Sequence, residues 1–439
     1  MAKILNFFRT VRNHWKKSMV GVAALSYGGL HTKEIYDTDR LMREYCESVS
    51  RVGDAPLRTT VKPRHVTIIL NPVAKKGKAK KYFENYCEPL LHLAGIALTI
   101  IQTESQNDAR RIIMNLNTPT DAIIVAGGDG TLSDVLTGLV RKYDYNLSSV
   151  KQCPIGILPL GQTNKIAKSL YQEYDDLSDV KQMIEATMAI INERSKMMDM
   201  IQVKPIEEEN LEEPIKPIYA MGAVEWGAWK DANSTANKYW YWGPLKKYAT
   251  YIFNGFNIDL NEYCDAVLRY TLPCDGCSRC NLKTSQSGYF NTNARWWQVF
   301  VPKRNVVGTE NVDYSKIINE DCDVVHELAV STNELHIETW NVGKLQDASL
   351  LQSCLRVKMG PKNISYFSFV SEGWKNERRD NDDESLCKQV TEAKIIELNP
   401  RKIDRDYTLY IDNEEYELKP VEIKLLPRAV KVFCSRTND

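Results

Sequence analysis

The chain has 439 residues, enough for two domains with their own cores, and its 43% hydrophobic and 26% charged content is that of a folded protein. Lys plus Arg and Asp plus Glu both number 57, so there is no global basic field and, with no nucleic-acid fingerprint, no nucleic-acid partner is expected. Eleven scattered cysteines, an odd number, exclude a disulfide framework.

Residues 1–33 contain no Asp or Glu but hold Lys3, Arg9, Arg12, Lys16, Lys17 and Lys33. Ile4, Phe7, Phe8, Val11, Trp15, Met19 and Val22 recur at three- and four-residue spacing, which predicts a helix with an apolar and a basic face. Mitochondrial targeting segments and helices lying on a membrane both have this acid-poor character. A helix docked on the protein body is the plainer alternative, but docking gives no reason to exclude acids. The uncharged run MVGVAALSYGGL (19–30) is shorter than the roughly 20 residues a bilayer crossing takes, so lying in or on the membrane is expected. Residues 34–60 read as a polar linker or short helix, and 1–60 together as a targeting or membrane segment.

From 61 to 198, strand and helix patterns alternate. HVTIIL, IALTIIQT, DAIIVA and PIGILPLG are apolar and β-branched. Between them stand amphipathic stretches such as KKYFENYCEPLLHLAG, which ends in a glycine stop, and SQNDARRIIMNLN, with Ser105 as its expected N-cap. This alternation predicts an α/β fold, a doubly wound parallel sheet, with ligands at the carboxyl ends of its strands. From 199 to 439 short strands dominate, including MDMIQVK, PIYAMGAVEWG, ELHIETWNV, LRVKMG, ISYFSFVS and AKIIEL, which predicts a mainly antiparallel β-sandwich domain. A helix is expected to interrupt it at 232–258, and mobile loops at about 258–330 and 375–385.

The third strand runs into GGDGT (127–131), followed by a helix. A glycine loop opening a helix presents backbone N–H groups to an anion, and phosphate is the usual one. Asp129 then sits beside a phosphate cradle, where repulsion is costly unless a cation intervenes or the carboxylate takes a proton. Mg²⁺ held by carboxylates and phosphates would resolve the conflict, as would an acceptor hydroxyl giving its proton to Asp129. Both point to phosphoryl transfer from a nucleotide. The plain alternative is a tight turn in which Asp129 caps the helix, but Thr131 could cap instead, and the extra glycines would be unexplained.

GGDGT, together with NPVAKKGK (71–78), LSDVLTG (132–138) and PLGQTN (159–164), comes in the order and spacing of the diacylglycerol-kinase-type catalytic domain shared with sphingosine and ceramide kinases. NHWKK (13–17), KYWYWGPLK (238–246) and EYELKPVEIKLLPR (415–428) resemble the mitochondrial acylglycerol branch of that family. The resemblance covers nearly the whole chain outside 258–330. NAD kinases and phosphofructokinases carry loops like GGDGT; the four blocks together are what is specific.

The resemblance implies ATP and Mg²⁺ as cofactors and Asp129 as base for the acceptor hydroxyl. It implies nucleotide contacts at Asn71, Pro72, Thr103, Gly127, Gly128, Gly130, Thr131 and Asp134. Gly161, Gln162 and Thr163 match the loop beside the adenosine, although Gln162 stands where many relatives have a hydroxyl residue. Lys246 matches a basic position facing phosphate. IDNEE (411–415) resembles a D-G-E turn with Asn413 in place of glycine, a mild change because Asn tolerates the left-handed turn conformation. Asp412, Asn413 and Glu414 are then nucleotide-site candidates, with Asp134 and Glu414 also candidate Mg²⁺ ligands. Asp231 matches a position orienting the lipid hydroxyl. As plain alternatives, Asp134 is a solvated helix carboxylate, Asp231 a turn residue and IDNEE a hairpin.

The function so implied is phosphorylation of monoacylglycerol and diacylglycerol to lysophosphatidic and phosphatidic acid at the mitochondrial inner membrane, facing the intermembrane space. The rival is a structural role in the inner-membrane translocase that inserts carrier proteins; a second is NAD kinase. YWYW (239–242) reads equally as core or as membrane contact. Cys274, Cys277 and Cys280, with Cys264 upstream, could begin a zinc site, but no second Cys-x-x-Cys or paired His follows, and a redox-sensitive loop is the default expectation.

Overall fold

The computed structural model describes residues 15–54, 62–105, 107–171, 174, 177–206, 215–256, 263–274, 276–280, 316–342, 353–378, 389–401 and 407–435. Four of the expected strands form its parallel sheet: β1 (His65–Leu70), β2 (Ala97–Gln102), β3 (Ala122–Gly127) and β4 (Ile155–Pro159). They pair in the order β2-β1-β3-β4, all parallel. Helices cover both faces, so central strand β3 is buried at every position and reads as an unbroken apolar run, whereas edge strand β2 is half exposed. The covering helices include α2 (Glu88–Leu93), α3 (Asp108–Met114), α4 (Asp129–Lys142), α5 (Lys165–Leu170) and α6 (Ser178–Ile191). Ile68, Ile124, Leu136 and Ile184 are core residues of this layer. Ser105 does not cap α3; Asn107 takes the N-cap position in the left-handed conformation, because Asp108 turns its carboxylate back to the Glu104 N–H.

The sheet does not stop at β4. The long strand β16 (Val421–Phe433) pairs beside it, and the order continues through β13 (Ile395–Pro400), β8 (Cys264–Thr271) and β9 (Val325–Thr332). β5 (Ser195–Pro205) and β6 (Ile218–Ala220) branch from β16. A second, antiparallel sheet has the order β12-β11-β10-β7-β14-β15, with β7 (Ala223–Gly227), β10 (Glu334–Thr339), β11 (Leu355–Met359), β12 (Gln389–Ala393), β14 (Thr408–Ile411) and β15 (Glu414–Glu417). Trp226, Leu268, Ile337, Ile396 and Ile423 form the apolar filling of this half, drawn from both sheets, as in a β-sandwich.

Three sequence expectations need correction. Residues 364–371 do not form a strand: α9 (Tyr366–Arg378) begins there, because Phe369 inserts against Trp229 and Tyr251. α7 (Ala228–Ser234) and α8 (Lys246–Gly255) complete that aromatic layer and agree with the helix expected at 232–258. The loop expected over 258–330 is a strand at each end, β8 and β9, and Cys264, Ala266 and Leu268 show the period-two burial that marks it. The loop expected at 375–385 starts inside α9; the remainder, with 281–315 and the basic residues before Trp15, lies outside the described residues.

The N-terminal helix α1 (Trp15–Gly53) is continuous through what reads in sequence as linker. Leu41, Met42, Tyr45, Cys46 and Val49 pack it onto the core, with α2 beneath. Its first half carries Met19, Val20, Val22, Leu25, Tyr27 and Leu30, all exposed. No described helix is long and apolar enough to cross a membrane.

Candidate active site

Parallel pairing brings the ends of β1, β2 and β3 to one edge. There Thr103 N–H donates to Leu70 O at 2.9 Å and Asn71 N–H to Ala126 O at 3.0 Å. The Asn71 amide reaches Thr131 Oγ1 at 3.2 Å, tying the first loop to the helix start after the glycines. Pro72 is half-buried in the same turn. Beyond it, Lys75, Lys76 and Gly77 are all left-handed, with φ of 51°, 58° and 76°. L-residues resist that conformation by about 1–2 kcal/mol each, so the two lysines store strain beside the cradle.

The glycines earn their places by close approach. A β-carbon on Gly161 would stand 2.3 Å from Gly128 Cα, and one on Gly130 would stand 2.1 Å from Glu414 Oε1. One on Gly127 would meet Thr131 Oγ1 at 2.7 Å. The GGDGT and PLGQTN loops therefore touch backbone to backbone, and Asp129 N–H donates to Thr163 O at 3.2 Å. Gln162 and Thr163 have exposed side chains. Glu414 belongs to the IDNEE hairpin, where Asp412 and Asn413 both have positive φ, at 47° and 68°. Asn413 thus takes the left-handed position expected of it.

Asp129 is buried, and both its oxygens are engaged: Lys165 N–H donates to Oδ2 at 2.9 Å and Ile166 N–H to Oδ1 at 3.3 Å. It caps α5, the helix after the second loop. Burial raises its pKa, and those two N–H groups pull it back. Asp412 is also buried and accepts N–H bonds from Met221, Gly222 and Ala223, each at 2.9 Å. Burial first and the Asp129 carboxylate second push its pKa up to about 7, against those three donors. Two buried carboxylates in mutual repulsion, with Glu414 against the glycine loop, gather negative charge at this edge, the charge that a divalent cation would offset. Asp134 is placed differently: Arg110 Nη2 meets its Oδ1 at 2.7 Å, so it already has a cationic partner. Burial raises its pKa, with Arg110 opposing.

A charge cluster that the sequence reading missed borders this site. Lys165 Nζ meets Glu225 Oε1 at 2.6 Å, and Lys230 closes on the other Glu225 oxygen and on Asn413 Oδ1. His336 lies between Glu225 (3.4 Å) and Glu334 (3.2 Å). Burial opposes charge on His336, but the two carboxylates outweigh it and raise its pKa to about 10. Burial likewise opposes charge on Glu225, yet Lys165, Lys230 and His336 hold it well below the usual range. The available signal was Glu225 itself, an acid in the fully buried strand AVEWG.

Asp231 lies on α7 and accepts the Tyr263 hydroxyl. Burial, with the tyrosine hydroxyls opposing, raises its pKa to about 6. Lys246 begins α8 and donates to Asn237 at 2.8 Å; none of its described hydrogen bonds reaches the glycine loop. In the YWYW block, Tyr239 stacks on Phe253 at 5.2 Å while Trp240, Tyr241 and Trp242 face outward.

A family model of the diacylglycerol kinase catalytic domain matches residues 65–203, and one of the acylglycerol kinase C-terminal region matches residues 221–439. The chain is 31% identical over 433 residues to the mitochondrial acylglycerol kinase of Homo sapiens, covering 98% of this chain and 96% of that protein. With the Xenopus laevis protein of that name it shares 32% over 443 residues, covering 100% and 97%. A solved diacylglycerol kinase from Bacillus anthracis aligns over 85% of this chain and 98% of its own, with 14% identity and a TM-score of 0.45. The chain belongs to the acylglycerol kinase family of lipid kinases.

Proposed function

We propose that this kinase transfers the γ-phosphate of ATP to the free hydroxyl of monoacylglycerol and diacylglycerol, giving lysophosphatidic and phosphatidic acid at the mitochondrial inner membrane. The observation that carries the reading is the convergence of GGDGT, PLGQTN and IDNEE on buried Asp129. Asn71, Pro72, Thr103, Gly127, Gly128, Gly130 and Thr131 would line the triphosphate side of the nucleotide, and Gly161, Gln162 and Thr163 the adenosine side. Asp129 would accept the hydroxyl proton as the phosphoryl group arrives. Asp231, with Tyr263, would orient the glycerol hydroxyl. Asp412 and Glu414 would hold Mg²⁺, which supplies charge neutralisation on the phosphates when bound. Asp134, neutralised by Arg110, would act by positioning α3 against α4. The exposed half of α1 and the outward aromatics at 240–242 would lie against the bilayer that holds the substrate.

The exposed half of α1 also favours a second reading, docking to the inner-membrane carrier translocase on the intermembrane-space side. Transfer from labelled ATP to monoacylglycerol, diacylglycerol, ceramide, sphingosine and NAD tests the first reading. Product on the acylglycerols alone, absent in Asp129→Asn, supports it. No product on any acceptor with folded protein and Mg²⁺ overturns it in favour of the second.

A further inference from the structure

Cys274, Cys277 and Cys280 follow β8 as two consecutive Cys-x-x-Cys steps, and Cys322 stands just before β9. β8 and β9 are antiparallel neighbours, with Thr271 opposite Val325, so both cysteine segments emerge at the same end of that strand pair. There the four Sγ atoms all lie within 4.8 Å of one another. Cys274 and Cys280 Sγ are 3.9 Å apart, and Cys277 and Cys280 Sγ 3.7 Å. Zn–S bonds of about 2.3 Å in a tetrahedron require sulfur–sulfur edges of about 3.8 Å. All four are thiols rather than disulfides, and Cys277 and Cys322 are buried. Cys264, the sequence candidate for a fourth member, is elsewhere: its Sγ meets Trp226 O at 3.3 Å inside the sandwich.

The surroundings favour sulfur anions. Cys277 N–H donates to Cys280 Sγ at 3.1 Å, and Asn319 Nδ2 to Cys274 Sγ at 3.4 Å. Ser278 N–H to Ile317 O at 2.9 Å and Arg279 to Glu320 O at 3.1 Å lock the two segments together independently of sulfur. A divalent ion takes four thiolates at once, and their protons leave to solvent.

We propose that Cys274, Cys277, Cys280 and Cys322 bind one structural zinc ion, clipping both ends of the excursion between β8 and β9 at the edge of the ten-stranded sheet. Four sulfur ligands leave no open position, so the role is structural rather than catalytic.

The test is metal analysis of the purified full-length chain, kept reduced and dialysed against metal-free buffer. About one zinc per chain is expected. It should fall about tenfold or more in the Cys277→Ser/Cys322→Ser double variant and stay unchanged in Cys46→Ser, whose thiol lies on α1. Cobalt exchanged into the wild type should show thiolate charge-transfer bands and the intense visible bands of a tetrahedral ion. These two wild-type measurements stand even if the double variant does not fold. Folded wild type without stoichiometric zinc, iron in its place, or disulfides mapped among these four cysteines would overturn the assignment.

Discussion

Asp129 takes its shortest hydrogen bond, 2.9 Å, from the backbone N–H of Lys165, and the ammonium of that same lysine holds Glu225. Lys165 charge lowers the pKa of Asp129 and Glu225 charge raises it. Replacing Lys165 with Met leaves the backbone bond intact and removes only the charge. The pKa of Asp129 should then rise further, and the acid limb of the kcat/KM profile should move to higher pH. Asp129→Asn should lower kcat by about 10²–10⁴-fold at every pH. An unmoved acid limb in Lys165→Met would dissociate Asp129 from that limb.

Gly161→Ala should be the most damaging change among the loop glycines 127, 128, 130 and 161. Its β-carbon meets Gly128 Cα at 2.3 Å and Gly128 N at 2.8 Å, both backbone atoms that cannot rotate away. A cost of about 1–3 kcal/mol and a raised KM for ATP are expected. For Gly130→Ala the three nearest atoms all belong to the Glu414 side chain, which can swing aside, so it should lose less stability. Paired thermal melts and ATP titrations check the ranking.

His336 should make stability depend on alkaline pH. Its folded pKa, about 10, lies above the ordinary 6.5. The stabilisation is therefore complete below about 6.5 and is lost as pH rises through about 10. His336→Gln should cost on the order of 2 kcal/mol at pH 6, discounting a buried-pair loss for partial exposure. The gap between wild type and variant should close towards pH 10 and above. Urea unfolding midpoints for both proteins across that range measure it, and a constant gap would remove the charge explanation.

Leu25 and Leu30 are 78% and 69% exposed on α1. Leu25→Glu/Leu30→Glu should leave the melting temperature unchanged while weakening vesicle co-sedimentation by about tenfold or more, since each buried leucine is worth about 1.5–3 kcal/mol. Trp240→Ser/Trp242→Ser tests the aromatic block separately. Undiminished vesicle binding in both variants would take the membrane role away from these surfaces.

Much of the catalytic half was legible because its signals are local. The unbroken apolar run of β3 ends in GGDGT, and the strand-to-helix turn follows from residues adjacent in the chain. The left-handed turn at Asn413 was readable for the same reason. Residues 364–371 were misread because an aromatic run suits a strand locally. The helix there is decided by Phe369 packing on Trp229, a residue on a distant element. Glu225, Lys165, Lys230, His336 and Glu334 come from separate elements, so no spacing rule links them.

The parallel strands, the glycine loop between β3 and α4 and the family are legible in the chain alone, because they are written in neighbouring residues and short periods. Folding alone brings Glu414 to Gly130, pairs Asp134 with Arg110, and makes Cys322 rather than Cys264 complete the sulfur cluster. Each is a contact between segments far apart in the chain, brought together by strand pairing and by burial of apolar faces.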